Sequence, residues 1–399
     1  MKPKFYRKVL KNGMTVIFEK RENPIVSVAI AVRSGGINEE EHEKGISHFI
    51  EHMLYKGTKK RTAKQIAEEI ENKGGDLNGF TDNMLTAFWC KLPSKHLNVA
   101  LEVLTDIIKN SLFDEKELEK ERKVIFEEIK MRKDSPGTYV IDQIHSFLYE
   151  KPFGIDLIGT YKSMNSITRE KILKRFDEVY NTCNIILVVV GNANFSKIIK
   201  FAEKNFKGKK TEIKIPKVII KNNIKIEKRK GIDQANLVFA YHVPLSKDKR
   251  SYAAYLLNVL MAGGMSSKLF SEIREKRNLA YAVRGYSEIR KNFAYNMIYI
   301  GTTKDKIEEV KKIILEEFDK VSKTLEEKEL KQIKEQMIGN YQISSEDSQI
   351  QLVNLLMYES DGNAKEFYNF EKNINAVKLK DVKDLAKMKN YSLFVLVPE

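Results

Sequence analysis

Cysteine, histidine and long apolar runs are scarce in this 399-residue chain. Its two cysteines, Cys90 and Cys183, cannot make a disulfide framework, and neither has a metal-like partner near it in sequence. No window approaches the length of a membrane span; the most apolar run, Ile185 to Val190, is the size of a strand. The start, Met1 to Lys8, is basic with no apolar run behind it and does not read as a secretory signal. A reducing cytoplasm and no membrane partner are the expectation. A concentrated basic stripe is missing too. The net charge of +15 invites a nucleic-acid reading, but the lysines run along the whole chain interleaved with glutamate, as between Glu115 and Lys133. That pattern describes a solvated surface, so no nucleic acid is expected.

With 42% hydrophobic and 31% charged residues the chain is ordinary for a folded protein, and its length allows two to three domains. Against the scarcity of histidine, one stretch stands out: Gly45-Ile46-Ser47-His48-Phe49-Ile50-Glu51-His52-Met53-Leu54. On a helix His48 and His52, four apart, share a face, and Glu51 leans over the same spot. Two imidazoles can hold zinc, and a carboxylate beside an activated water can take its proton, so His-x-x-Glu-His reads as the reversed zincin helix. With so few histidines the pattern arises by accident in fewer than about one such chain in a hundred. His42, His96, His145 and His242 read as ordinary surface or core residues.

The flanking sequence supplies a scaffold. Asn12-Gly13 sets a hairpin turn, Ile25 to Val32 is a strand covered on both faces, and an acidic loop from Asn38 to Glu43 leads into the metal helix. Thr62 to Gln65 is a capping box for the next helix, and Gly74-Gly75 stops that helix. Asp76 to Lys91 alternates as a long strand or hairpin, Ser94 to Asn110 is a helix, and a charged helix runs from Asp114 to about Lys133. On it Glu121 and Glu128 share a face with Leu118 and Ile125. Zinc usually takes three protein ligands, so an acidic one from elsewhere is required, and spacing alone does not choose it.

Beyond a lysine-rich stretch, 207–231, read as a linker, the pattern recurs. Glu272-Ile273-Arg274-Glu275-Lys276 echoes Glu69-Ile70-Glu71-Asn72-Lys73 at an offset of 203, and Glu327 to Leu330 repeats Glu115 to Leu118 at 212. Two offsets near half the chain indicate a duplicated domain. At those offsets His48, Glu51, His52 and Glu128 fall on Ser251, Ala254, Tyr255 and Asn340, so only the first copy can hold the metal.

With these residues in view, the chain resembles the pitrilysin and mitochondrial processing peptidase family of inverted zinc metallopeptidases, in its short two-domain bacterial form. The likeness covers essentially the whole chain and is carried most specifically by His48 to Thr58 (HFIEHMLYKGT). It implies an α+β fold of two homologous domains, each a mixed, largely antiparallel sheet packed with helices, as a half shell. The expected division is 1–206 for the zinc-binding catalytic domain, 207–231 for the linker and 232–399 for a domain without metal ligands. Within Glu121 to Glu128 (ERKVIFEE) the resemblance makes Glu128 the third zinc ligand and Glu121 the supporting residue behind the site. It makes Asn78, Gly79, Phe80 and Thr81 the strand that receives an extended peptide, although Gly79 replaces the family's common alanine and Met84 its frequent glutamate. It makes Arg274 and Tyr281 the pair that holds the peptide and stabilises the developing oxyanion.

The resemblance therefore implies one zinc per chain, an endopeptidase acting on unstructured peptides in an enclosed chamber with Glu51 moving the proton, and a homodimer in which Arg274 and Tyr281 act in trans. The rival readings are a catalytically silent relative serving as partner or scaffold, and the zinc subunit of a heterodimer.

Overall fold

A computed structural model describes residues 4–208, 213 and 215–399. Residues 1–3 of the basic start, and 209–212 and 214 of the expected linker, lie outside the described residues. The chain divides into two compact units assembled from non-contiguous segments: 1–129, 157–216 and 344–367 form the first, and 130–156, 217–343 and 368–399 the second.

The first unit holds strands β1 (Lys4–Val9), β2 (Thr15–Lys20), β3 (Ile25–Val32), β4 (Asp76–Thr81), β5 (Thr86–Pro93) and β6 (Ile185–Gly191) in the order β1-β2-β6-β3-β5-β4. The second holds β7 (Ile224–Arg229), β8 (Ala235–His242), β9 (Ala280–Ile289), β10 (Ala294–Thr302) and β11 (Ser392–Pro398) in the order β7-β11-β8-β10-β9. Each sheet has one parallel pair, β2 with β6 and β7 with β11; every other pair is antiparallel. Strand for strand, β7-β11-β8-β10-β9 repeats β2-β6-β3-β5-β4. The fold is α+β with two homologous domains, as the resemblance implied.

That equivalence makes β7, within the stretch expected as a linker, the counterpart of β2. Its alternation of isoleucine with charge, with Ile224 and Ile226 about half exposed, suits an edge strand with little buried surface. Helix membership does not follow chain order either. The helix Ser348–Asp361 packs on β3 and β6 in the first unit. There Ser348 and Ser27 hydroxyls meet at 2.8 Å, Gln351 donates to Glu19 at 2.7 Å, and Arg7 donates through Nε and Nη2 to Glu359 at 2.8 Å each. Pro136–Leu148 belongs in the same way to the second unit, against β8 and β11.

The metal helix, α1 (Ile46–Leu54), covers the first sheet together with α2 (Ala63–Glu71) and α3 (Leu97–Asn110). It buries Ile46, Phe49, Ile50, Met53 and Leu54 completely or nearly so, each worth roughly 1.5–3 kcal/mol relative to exposure. Its polar face is thereby fixed. The start of α1 is set by Glu39, whose carboxylate accepts the backbone N–H of Gly45 at 2.9 Å and of Ser47 at 2.8 Å. Gly45 has φ +92, and a Cβ there would lie 2.6 Å from the Ile158 carbonyl oxygen, so only glycine fits.

Candidate metal centre

Four residues converge in the first unit. His48 and His52 come from α1; Glu121 and Glu128 come from α4 (Glu115–Asp134), whose face with Leu118 and Ile125 is buried. Arg122 locks the two helices together, its guanidinium 5.3 Å from the Phe49 ring centroid while it donates to the Met164 and Ile167 carbonyls.

His48 Nε2 lies 3.3 Å from His52 Nε2 and 3.5 Å from Glu128 Oε2; the third side of the triangle, His52 Nε2 to Glu128 Oε2, is 3.8 Å. Ligands held about 2.0–2.2 Å from a tetrahedral ion stand roughly 3.3–3.6 Å apart, so the donors fit zinc in both type and spacing. Among the described residues this is the group of histidine, cysteine and acidic side chains close enough to hold a metal. Three protein ligands leave one position for water or substrate, the arrangement of catalytic zinc. Glu121 stands behind: its Oε2 accepts the Nδ1–H of His52 at 3.1 Å and its Oε1 accepts from Lys56 at 2.6 Å. Holding the proton on Nδ1 turns the His52 Nε2 lone pair toward the triangle.

Glu51 is not part of the triangle but lies beside it. The Thr81 hydroxyl donates to its Oε2 at 2.6 Å. Burial pushes the Glu51 carboxyl above its ordinary range and Glu128 adds to that, while the Thr81 hydrogen bond and His52 pull the other way. A carboxyl so placed accepts a proton more readily than one in water. Thr81 lies on β4, an edge strand that among the described residues pairs only with β5, so backbone groups between Asn78 and Thr81 lie along an open edge, where the Gly79 N–H donates to Asn78 Oδ1 at 2.8 Å.

Gly79, the departure from alanine noted above, has a local cause. A Cβ there would stand 2.5 Å from the Tyr55 hydroxyl and 2.9 Å from the Ala87 carbonyl oxygen. The space that alanine would take is filled by Tyr55, one turn of helix past Glu51. Met84 is buried in the turn between β4 and β5.

Arg274 and Tyr281 belong to the second unit, whereas the candidate metal ligands belong to the first. Arg274 is exposed on the π-helical turn Phe270–Glu275, its guanidinium 4.8 Å from the Phe270 ring centroid. Tyr281, 46% exposed, is the second residue of β9, and its hydroxyl meets that of Tyr299 at 3.2 Å.

Comparison with known proteins decides the family. Residues 15–161 match the insulinase family, peptidase family M16, and residues 166–337 match the M16 inactive domain. The chain belongs to peptidase family M16. A relative from Rickettsia felis, named an uncharacterized zinc protease, is 36% identical over 353 residues, covering 87% of this chain and 85% of its own. The zinc protease YmxG of Bacillus subtilis is 32% identical over 409 residues, covering 98% of both chains. In fold, the crystal structure of a protease from Helicobacter pylori superposes with a TM-score of 0.90 over 99% of this chain and all of that one, at 24% identity. The family of zinc proteases implies zinc, which the donor set of this M16 chain fits. Among the described residues no helix is long and apolar enough to cross a membrane.

Sequence reasoning had no means of finding Glu39, Lys56 or Tyr55. Lys56 and Tyr55 act through contacts with Glu121 and Gly79 that only the fold brings together, and Glu39 through a loop that folds back on the start of α1.

Proposed function

We propose that this chain is a zinc metalloendopeptidase that hydrolyses flexible, unstructured peptides. The observation that carries the reading is the His48, His52, Glu128 triangle with Glu51 beside it and an open edge strand alongside. When bound, zinc supplies Lewis acidity, polarising the scissile carbonyl and lowering the pKa of water toward neutrality.

The chain's own residues do the rest. An extended peptide adds to the outer edge of β4 through main-chain hydrogen bonds from Asn78 to Thr81, which leaves sequence preference to side-chain pockets. Glu51, aimed by Thr81, takes the proton of the attacking water and returns it to the leaving amine. Glu121 holds His52 in the tautomer and orientation the ion needs. Arg274 holds the peptide, and Tyr281 turns its hydroxyl from Tyr299 to the developing oxyanion. In this reading the chain is a cytoplasmic homodimer that encloses its substrate, and Arg274 and Tyr281 serve the zinc of the second copy.

Two measurements test it. Cleavage of an unstructured peptide should cease on chelation and return with one equivalent of zinc per chain; chelator-resistant cleavage would defeat the metal reading. An Arg274→Ala chain mixed with a Glu51→Gln chain should recover activity that neither has alone. Continued absence of activity from a mixed dimer would defeat action in trans.

A further inference from the structure

The two units repeat one run of helix, loop, helix and hairpin but differ in what lies behind the loop. In the first unit the loop after α1 delivers Arg61 into a clamp of two carboxylates. Its Nε and Nη2 donate to Glu69 at 2.9 and 3.1 Å, and its Nη1 donates to Asp106 Oδ2 at 2.8 Å. Thr58 completes the network by donating to the same Asp106 oxygen at 2.6 Å.

The second unit keeps acids but has no arginine at the place of Arg61; Arg277 Nη2 approaches Glu272 Oε2 from outside the lining, no nearer than 3.7 Å. Glu272 holds the place of Glu69 at the offset of 203, and a second acid, Glu317, lies on the helix Ile307–Thr324, which follows the β9–β10 hairpin as α3 follows β4 and β5. At the offset of 203 the place of Arg61 falls to Gly264. Where the first unit has a guanidinium, the second has a cavity of about 510 Å³ lined by Ser267, Lys268, Glu272, Glu317, Lys320 and Gln336.

Two buried groups in that lining lack partners. Ser267 is 4% exposed and Glu317 6%, and neither Ser267 Oγ nor Glu317 Oε2 has a hydrogen-bond partner. The lysines do not supply one. Lys320 reaches the other oxygen of Glu317, Oε1, at 3.2 Å; Lys276 pairs with Glu272 and Lys268 with Glu329. The side chains of Lys320 and Lys276 are more than half exposed, so they approach the acids from the solvent side. Pairs of that kind are weak and easily exchanged.

We propose that this cavity receives a guanidinium group from a ligand, an arginine that is either free or carried on a flexible peptide. The group takes the part that Arg61 plays in the first unit. Its planar fork of five donors suits two carboxylates and a hydroxyl set apart from one another, which the point charge of an ammonium does not. The volume falls within the range of about 300–1,000 Å³ typical of small-molecule sites, leaving room for the rest of an amino acid. Lys268 and Lys320 offer ammonium groups to its carboxylate. The site goes beyond the peptidase reading and needs no metal.

The test uses the full chain carrying Glu51→Gln, so that peptides are not consumed. Calorimetric titration compares L-arginine with L-citrulline, its uncharged isostere, and an arginine-containing unstructured peptide with its citrulline twin. At least one arginine ligand should bind about tenfold or more tightly than its twin. The added change Glu317→Gln should abolish that preference while peptide binding along β4 persists. A preference for free arginine assigns a small-molecule site; a preference seen only between the peptides assigns a peptide residue. Equal binding of arginine and citrulline in both pairs, or a preference that survives Glu317→Gln, overturns the proposal. If Glu317→Gln does not fold, Ser267→Ala replaces it, with a weakening of the arginine ligand of about threefold or more expected; unchanged affinity counts against the site.

Discussion

The hydroxyl of Thr81 donates to Glu51 Oε2 at 2.6 Å, tying the edge strand β4 to the carboxylate that lies beside the candidate metal ligands. Strand and base are therefore not independent parts. A peptide that pairs with β4 does so on the strand that aims Glu51.

Replacing Thr81 with valine keeps the shape and removes that donor. The expected result is a fall in kcat of about tenfold with zinc content and melting temperature nearly unchanged, because the base loses its orientation and not its charge. Thr81→Ser should restore most of the rate. A Thr81→Val enzyme with full kcat would show that the hydrogen bond does not aim Glu51.

Gly79 and Tyr55 make a coupled pair. Gly79→Ala should destabilise the chain by about 1–3 kcal/mol, since its Cβ would meet the Tyr55 hydroxyl at 2.5 Å and the Ala87 carbonyl at 2.9 Å. Tyr55→Phe in the same chain removes the first clash and leaves the second, so partial recovery is predicted. Denaturant unfolding of the single and double variants measures it, and strictly additive effects would refute the coupling.

Glu121 touches His52 and Lys56 but lies outside the triangle of donors. Glu121→Gln should lower zinc affinity by about 10–100-fold while the folded chain persists. Competition with a chromophoric chelator reads this directly, and unaltered affinity would remove Glu121 from any supporting role.

Much of this arrangement was legible in the residues. The capping box of Thr62 and Gln65 forms as read, the Asn12-Gly13 turn joins β1 to β2, and Ile25 to Val32 is a fully flanked strand, because each depends on neighbours in sequence. The offsets of 203 and 212 marked a duplication that the matching strand orders bear out. Spacing could not single out Glu128 among the glutamates of α4, since what selects it is the packing of α4 on α1 through Arg122 and Phe49. Strand β7 was hidden in a basic stretch because an edge strand buries little, and the joining of Ser348–Asp361 to the first sheet has no local signature at all.

That helix is held by Glu359, which supplies a pH prediction. Burial alone would raise its carboxyl, but Arg7, the Ala364 N–H and Arg33 outweigh burial and hold it below the usual range. A depressed folded pKa stabilises the protein above the ordinary carboxylate range, and the contribution is lost as pH falls through the depressed value. Glu359→Gln should cost about 2 kcal/mol at pH 7 and progressively less in acid. Unfolding curves for both proteins across that range measure the difference; a gap independent of pH would contradict the assignment.

The most direct test of the central claim is hydrolysis of an unstructured peptide pool by the native chain and by Glu51→Gln, with zinc content measured in both. The account predicts equal zinc, cleavage by the native protein and a loss of at least about a hundredfold in the variant. Equal zinc with no cleavage by either, or equal cleavage by both, would contradict it.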